Sequence, residues 1–391
     1  MRPLPDDIRD AQPFGDFIAD MAMLGVTPVA SGGLRYAVIA GRSNPRWWLL
    51  PLEDRCAAAA GLEMLQPVTK AASIAKIVAN GLARFGPHRL LGCAQMRLSG
   101  LPDLAGAFGG KAVHVAYFTG TGGPHRKSAL QVMDAGGAIL GYAKMSRASH
   151  VRPYLRKEAE ILARVAELGL TTADVPTVLA TRDDDEMTLL VTDSLKSSAH
   201  AAPLVPGVEH LAFLSELRVR TGCIGAVETL DALKHRSAKL APLAGPEWMA
   251  RLARVDVALR PKAEAIPVCL SHGDFTPWNT FLQDGQLYVF DWEYADAAWP
   301  VGFDLVHFHL AITPPTKQLS SLPALTQALA AAHFDGDRVQ ATRALLMSLA
   351  CHAVFYLGRL EEAQSPLAAW ASRLERAAMI DRLLAEQEAS L

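Results

Sequence analysis

Residues 270–305 read LSHGDFTPWNTFLQDGQLYVFDWEYADAAWPVGFDL, and this stretch decides both the fold and the chemistry. His272 opens the pattern H-x-D-x-x-x-x-N, which also contains Asp274 and Asn279. The following FLQDGQLYVF alternates like a β-hairpin turned at its D-G pair, and it leads directly to Asp291 in the sequence D-W-E. The hairpin is therefore predicted to fold Asp291 back beside the loop that carries Asp274 and Asn279.

These residue types are those that phosphoryl transfer requires. One carboxylate must accept the proton of the acceptor hydroxyl and align it with the γ-phosphorus, and an amide oxygen and a second carboxylate must hold Mg²⁺ against the phosphates. Oxygen ligands of this kind suit a hard cation that also keeps several waters. The spacing Asp–x₄–Asn, followed by a hairpin and another Asp, is the arrangement of protein kinases.

The wording of the two motifs resembles the aminoglycoside phosphotransferase and choline kinase-like family, which has H-G-D-x-x-x-x-N and D-x-[DE]. HGDFTPWN and VFDWEYA are the matching stretches here. The resemblance implies that Asp274 is the catalytic base, that Asn279 and Asp291 are Mg²⁺ ligands, and that His272 supports the loop. It places Glu293 at the acidic third position of D-x-[DE], as a further candidate for the metal site.

The same residues allow two other interpretations. Taken alone, His272 reads as a satisfied buried histidine and Asp274 as a turn-former, but matches at fixed offsets favour the functional interpretation. A metallohydrolase would need His307 and His309, which stand at i and i+2 on a predicted helix and therefore point apart. These two are interpreted as ordinary histidines. Asp304, in P-x-G-F-D-L, matches an aspartate of the family and is interpreted as structural.

The sequence upstream gives an independent test, because a kinase needs a cover over its nucleotide. Residues 113–144 predict three strands with a Gly-rich loop after the first, residues 153–168 predict an amphipathic helix, and residues 175–193 predict two more strands. This order of three strands, a helix and two strands is that of the family's small lobe. The resemblance covers roughly residues 113–365.

The resemblance also implies which residues contact the nucleotide. Lys144 on the third strand would reach the phosphates, and a glutamate of the next helix would hold that lysine. The helix sequence favours Glu158 over Glu160, although periodicity alone does not separate them. The remaining candidates are the glycines of the first hairpin and the hinge beside adenine, namely Gly120, Gly122, Gly123, Thr192, Asp193 and Ser194.

The stretch GTGGPHRKS superficially resembles a Walker A loop. That interpretation fails because the residue before Lys127 is Arg126 rather than Gly, and because a strand instead of a helix is predicted to follow. The basic residues 125–127 are expected to form a solvated loop tip, with contact to phosphates as the alternative.

The fold class that follows is α+β, protein-kinase-like and two-lobed, with a small antiparallel-sheet lobe carrying one helix and a larger, mainly helical lobe. Residues 1–110 are predicted as an N-terminal α/β extension of unknown role. Residues 111–196 are the predicted nucleotide lobe, and residues 197–391 are the predicted helical lobe with the catalytic loop and the acceptor pocket. The pair Trp47-Trp48 in the extension is predicted to be core.

Composition narrows the class of protein further. A net charge of −2 gives no electrostatic reason to expect nucleic acid or an anionic membrane as partner. The five scattered cysteines form no CxxC pair, which favours a reducing compartment, and the N-terminus lacks the apolar core of a signal peptide. The longest apolar stretch, residues 344–358, contains a histidine and is predicted to be a buried helix. A cytoplasmic location is expected.

The sequence therefore predicts a phosphotransferase that uses ATP or GTP with Mg²⁺ and phosphorylates a hydroxyl group of a small molecule. Acidic residues are spread without a cluster over residues 205–265, where such enzymes build much of the acceptor pocket, so a polycationic aminoglycoside is not the first expectation. A sugar, amino sugar or amino alcohol is expected instead. The alternative is a catalytically silent nucleotide-binding or interaction module. Neither the oligomeric state nor the acceptor follows from the sequence.

Overall fold

A computed structural model describes residues 2–3, 8, 12–41, 45–65, 70–84, 93–197 and 200–388. The chain divides into two compact units. The first unit comprises Met1–Ala163 and Pro176–His200, and the second comprises Arg164–Val175 and Ala201–Leu391.

A nine-stranded sheet forms the framework of the first unit. Its order is β1-β4-β2-β3-β5-β6-β7-β10-β9, and every neighbouring pair is antiparallel except β1 with β4. The strands are β1 (Arg2–Pro3), β2 (Leu34–Ala40), β3 (Trp47–Pro51), β4 (Ala94–Leu98), β5 (His114–Phe118), β6 (Ser128–Met133), β7 (Ile139–Ser146), β9 (Val178–Asp183) and β10 (Thr188–Asp193).

The strands of the predicted extension and those of the predicted nucleotide lobe belong to this one sheet. Strand β3 pairs with β5, where Trp48 lies opposite Phe118 and their rings stack at 5.1 Å. One hydrophobic core extends through both regions, from Phe14 and Tyr36 to Leu130 and beyond. The pair Trp47-Trp48 is buried, as the sequence predicted.

Among the described residues of this unit, four α-helices accompany the sheet. A second, smaller core of mainly Ala and Leu side chains lies between the sheet and the short helices of the extension. An aspartate begins one of these helices by the usual capping geometry, since the Asp54 side chain accepts the N–H groups of Cys56 and Ala57. The helices are α1 (Phe14–Met23), α2 (Arg55–Gly61), α3 (Lys70–Arg84) and α4 (Arg152–Glu167).

The predicted order of three strands, a helix and two strands is confirmed by β5, β6, β7, α4, β9 and β10. The mixed α+β class is confirmed as well. The Gly-rich stretch connects β5 to β6, and β6 begins directly after Lys127, so a strand follows that loop as predicted.

The second unit is mainly helical and contains two three-stranded sheets. The first sheet has the order β11-β12-β15 and the second β13-β14-β8. Their strands are β8 (Ala173–Asp174), β11 (Ile224–Gly225), β12 (Pro267–Ser271), β13 (Thr280–Gln283), β14 (Gln286–Val289) and β15 (Asp296–Pro300). The helices are α5 (Val208–Thr221), α6 (Val227–Lys239), α7 (Ala241–Leu259), α8 (Phe303–Ile312), α9 (Pro315–Gln318), α10 (Leu322–His333), α11 (Arg338–Glu362) and α12 (Arg373–Glu388).

Helix α11 is the central helix of this unit. By length and composition it could cross a membrane, but 78% of its most apolar window is buried inside the protein. Length and hydropathy alone do not distinguish a membrane span from the core helix of a globular unit. The burial of this helix confirms the predicted buried helix.

Candidate active site

The loop between β12 and β13 carries the predicted catalytic residues, and the hairpin after it returns the chain to the same place. Strands β13 and β14 form an antiparallel ladder in which Thr280 pairs with Val289 at one end and Gln283 with Gln286 at the other. Asp284 and Gly285 of the turn between them have the two positive φ angles that such a tight turn requires. One step beyond the ladder, the Phe290 N–H donates to the Asn279 carbonyl at 3.0 Å. This register places Phe290 opposite Asn279, so the backbone of Asp291 lies one residue beyond that pair.

Both oxygens of the Asp274 carboxylate have a defined partner. Oδ2 accepts the side-chain amide N–H of Asn279 at 2.8 Å, and Oδ1 lies 2.8 Å from Nε2 of His307. The Asp274 side chain is 32% exposed, so a substrate can reach it. A carboxylate with two partners and an open side is suited to accept a proton from a bound hydroxyl group.

Asn279 is nearly buried and its amide nitrogen is fully committed. The nitrogen donates to both the carbonyl oxygen and Oδ2 of Asp274, at 2.9 and 2.8 Å. The amide oxygen is therefore the atom of this side chain that is left for a cation. Oxygen donors are what Mg²⁺ requires, so the observed orientation of Asn279 fits a magnesium ligand.

His272 holds the loop together from inside. Its Nδ1 accepts the backbone N–H of Asp274 at 3.2 Å, which fixes the proton on Nε2, and Nε2 donates to the carbonyl of Phe290 at 2.9 Å. Burial lowers the pKa of the fully buried His272 imidazole and keeps it neutral. Both ring nitrogens bond to backbone groups, one in the loop and one at the end of the hairpin, so His272 supports the loop structurally.

Asp304 on α8 supports the same loop from the other side. Its carboxylate accepts the backbone N–H groups of His272 and Gly273 at 2.8 and 2.9 Å. Gly273 has φ +83°, and a Cβ there would lie 2.2 Å from the carbonyl oxygen of Tyr294, so only glycine fits. These contacts agree with the structural interpretation of Asp304.

Asp291 and Glu293 follow the hairpin. Asp291 is half-buried and has φ +70°, a left-handed conformation that Asp and Asn tolerate better than other side chains. Glu293 is buried, and between the two Trp292 is fully buried and donates from Nε1 to the carbonyl of Val289. Asp274 and Asn279 thus contact each other in the second unit, and the hairpin returns the chain to this loop just before Asp291, with Glu293 two residues further along.

In the first unit, the predicted lysine and glutamate meet. Nζ of Lys144 on β7 lies 2.5 Å from Oε1 of Glu158 on α4, and the Glu158 side chain is only 2% exposed. Glu160 is exposed on the opposite side of the same helix. Of the two glutamates, Glu158 is therefore the one that contacts Lys144.

The Gly-rich hairpin is held by the extension. Gly120 adopts φ +80° and its Cβ position is filled by the carbonyl of Lys127, whereas the N–H of Gly122 donates to the carbonyl of Pro45 at 3.1 Å. Gly123 is exposed, with φ +141°. The backbone N–H of Gly122 is thus occupied by the extension, which the sequence did not predict.

The expectation of a solvated basic tip is wrong for Arg126. Its side chain is only 10% exposed and its Nη2 lies 2.5 Å from Oδ2 of the fully buried Asp20 on α1. Asp20 also accepts from Ser128 Oγ and from Arg147 Nε, both at 2.8 Å. The physical reason is that a buried carboxylate needs cationic and hydroxyl donors. Arg126 and Ser128 of the hairpin and Arg147 after β7 supply them.

The predicted hinge lies at the end of β10. Thr192 and Asp193 pair with Tyr142 and Gly141 of β7, and the Asp193 carboxylate accepts the Thr177 N–H at 2.6 Å. The N–H of the next residue, Ser194, donates to the carbonyl of Leu140 at 3.3 Å. These bonds keep the hinge segment alongside β7.

His307 is a candidate that the sequence interpretation missed. It was interpreted as an ordinary histidine, but its Nε2 contacts the predicted base at 2.8 Å, while His309 bonds instead to Ser321. A signal was present: Asp304 and His307 stand at i and i+3, so one face of α8 presents both toward the catalytic loop. Periodicity could not say which loop that face would meet.

The chain matches the model of a family described as "Phosphotransferase enzyme family" over residues 141–342, which is just over half of its length. No curated protein matches the chain significantly.

Solved structures that match this chain include the GDP and kanamycin complex of APH(2")-IIia, at 14% identity, a TM-score of 0.43 and coverage of 68% of this chain and 90% of that one. A macrolide 2'-phosphotransferase from Brachybacterium faecium gives 15% identity, a TM-score of 0.39 and coverage of 65% and 89%. A glucosamine kinase gives 13% identity, a TM-score of 0.28 and coverage of 93% of both chains.

Proposed function

This chain belongs to the phosphotransferase enzyme family, and we propose that it transfers the terminal phosphoryl group of ATP to a hydroxyl group of a small molecule in a Mg²⁺-dependent reaction. The observation that carries the proposal is the arrangement around Asp274. The Asp274 carboxylate is partly exposed to solvent and is held in place by hydrogen bonds from Asn279 and His307. Because the Asn279 side chain donates its amide N–H to Asp274, its amide oxygen is left for a cation. A protein that only bound nucleotide would have no chemical need for such an oriented base.

The role of each residue follows from its contacts. Asp274 accepts the proton of the acceptor hydroxyl as that oxygen attacks the γ-phosphorus. Asn279 and Asp291 would hold Mg²⁺, with Glu293 as the further acidic candidate, and the ion would neutralise charge on the phosphate oxygens when bound.

In the first unit, Lys144 would pair with the nucleotide phosphates, and Glu158 fixes its ammonium group. Thr192, Asp193 and Ser194 would contact the adenine or guanine ring of the nucleotide.

The acceptor class is a hydroxylated small molecule such as a sugar, an amino sugar or an amino alcohol. Support comes from the family, and from the lack of an acidic cluster in residues 205–265, which argues against a polycationic acceptor. GTP is the alternative phosphate donor. The alternative function is a catalytically silent module that binds nucleotide without turnover.

The first experiment is nucleotide-dependent thermal stabilisation with and without Mg²⁺. ATP or GTP at a hundred times its Kd should add about 2.7 kcal/mol to the free energy of unfolding. The matched variant is Asp291→Asn, because asparagine tolerates the left-handed backbone of this position and removes only the charge. Stabilisation that requires Mg²⁺ and is lost in Asp291→Asn supports the proposal.

The second experiment is turnover. With a panel of sugars and amino alcohols, Asp274→Asn should lower kcat by at least about 10²-fold, the scale of a lost general base. Tight nucleotide binding that needs no Mg²⁺, with no transfer to any acceptor or to water, would favour the silent module instead.

A further inference from the structure

The second partner of Asp274 comes from outside the catalytic loop. His307 lies on α8, 33 residues further along the chain, and its Nε2 is 2.8 Å from Oδ1 of Asp274. The other oxygen of that carboxylate is held by Asn279 of the loop itself. The plane of the carboxylate is therefore defined by two donors that belong to different elements of the fold.

The protonation of His307 follows from its partners. A carboxylate only accepts hydrogen bonds, so Nε2 must carry the proton that it donates to Asp274. The other ring nitrogen, Nδ1, is buried and has no partner among the residues that the structure describes. A lone pair at Nδ1 costs less there than an N–H group would, because a buried donor without an acceptor loses about 1–3 kcal/mol. The geometry thus selects a neutral imidazole with its proton on Nε2.

The ring of His307 is fixed in place by its neighbours. It stacks on Phe303 of the same helix, with 6.1 Å between ring centroids and 20° between planes. His352 of α11 packs on it at 5.4 Å, and Tyr356 packs on His352 at 4.5 Å. Burial lowers the pKa of His352 well below its ordinary value, and Arg376 lowers it further, so His352 is uncharged. The rings of Phe303 and His352 therefore hold the His307 imidazole against Asp274.

We propose that His307 is a positioning residue of the phosphoryl transfer, which orients the Asp274 carboxylate toward the acceptor hydroxyl through its Nε2–H. The inference rests on the proposed function of Asp274 as the base. A side-chain carboxylate rotates broadly about χ2, and misplacement of a reacting group by about 1 Å can cost 10²-fold in rate. The bond from α8 removes that freedom before substrate arrives. His307 acts on the carboxylate alone, so nucleotide binding does not depend on it.

The test compares His307→Leu, which removes the donor, with His307→Gln, which keeps an N–H donor on a side chain of similar reach. We expect His307→Leu to lower kcat at least 10-fold, with KM for the nucleotide changed by less than about 2-fold, and His307→Gln to restore most of kcat. His309→Leu on the same helix is the control, because His309 bonds to Ser321 and not to Asp274. Unchanged kcat in His307→Leu, or equal loss in the Leu and Gln variants, overturns the proposal.

Two further measurements separate this inference from the proposed function. If Asp274→Asn retains full turnover, the base assignment fails; if Asp274→Asn is inactive while His307→Leu is active, only the positioning role fails. Long-range ¹H–¹⁵N spectra of the histidine rings give a readout without any acceptor. They should show His307 with its proton on Nε2 and a resonance shift in Asp274→Asn, whereas a proton on Nδ1 contradicts the proposal.

Discussion

The carboxylate of Asp304 accepts the backbone N–H of His272 at 2.8 Å, across 32 positions of sequence, and accepts that of Gly273 at 2.9 Å. Helix α8 is thereby fastened to the catalytic loop by a fully buried contact. Because burial raises the pKa of Asp304, the two N–H groups are what compensates the charge of this carboxylate.

Replacement of Asp304 by alanine should destabilise the second unit and disable the site together. Two buried N–H groups would lose their acceptor, at about 1–3 kcal/mol each. Asp304→Asn should be less destabilising, because its amide oxygen can still accept. Urea unfolding of both variants measures the loss, with the exposed Glu247→Ala as control. Unfolding midpoints that match wild type would show that water replaces the carboxylate without cost.

Gly273→Ala should be far more destabilising than Gly285→Ala, although both glycines have φ +83°. At Gly285 the added Cβ meets nothing within 4 Å, so the cost is the left-handed conformation alone, about 1–2 kcal/mol. At Gly273 the Cβ would lie 2.2 Å from the Tyr294 carbonyl oxygen, so the loop must move. Thermal melts and turnover of the pair separate conformational strain from steric exclusion. Equal melting temperatures in the two variants would contradict this account.

Protein stability should fall between pH 7.5 and pH 5 partly because of His333. Burial, assisted by Arg218, lowers the pKa of His333 from 6.5 to about 4. The imidazole of His333 therefore binds a proton in this range in the unfolded chain but not in the folded chain. The contribution of His333 to the free energy of unfolding is highest above pH 6.5 and decreases as the pH falls toward 4. We expect a loss of about 2 kcal/mol in the free energy of unfolding over this interval from His333.

The check is the unfolding free energy at the two pH values in wild type and His333→Leu. The variant should show a shallower pH dependence by about that amount. His235→Gln serves as control, because His235 is exposed. A slope in His333→Leu as steep as that of wild type would refute the assignment.

Asp20→Asn should destabilise the first unit by about 3–5 kcal/mol, the usual result of removing one partner of a buried ion pair. Asp20 is fully buried and is contacted by Arg126 and Arg147, which would lose their counter-charge. Asp16→Asn on the same helix is the matched control. The Asp16 carboxylate is 39% exposed and lies 3.9 Å from Arg126, so its loss should cost less than about 1 kcal/mol. Denaturant unfolding of both variants measures the difference, and an equal loss of unfolding free energy in Asp20→Asn and Asp16→Asn would contradict the prediction.

The sequence by itself determined the elements whose pairing is local. The D-G turn fixed the register of the hairpin after Asn279, and this register put Asp291 beside the catalytic loop. Alternation and helical periodicity gave the order of strands and helix that carries Lys144 and Glu158. In each case the partners are neighbours along the chain, so the hydrogen-bonding pattern of the backbone specifies the contact.

Only the tertiary structure decided the contacts that cross long stretches of chain. His307 reaches Asp274, and Asp304 reaches His272, because the packing of α8 aims one helical face at the catalytic loop. Asp20 reaches Arg126 across 106 positions because the strands of the extension and those of residues 114–193 belong to one sheet. Periodicity shows that a helix has a face to bury, but only the packing of the whole core determines which side chains that face meets.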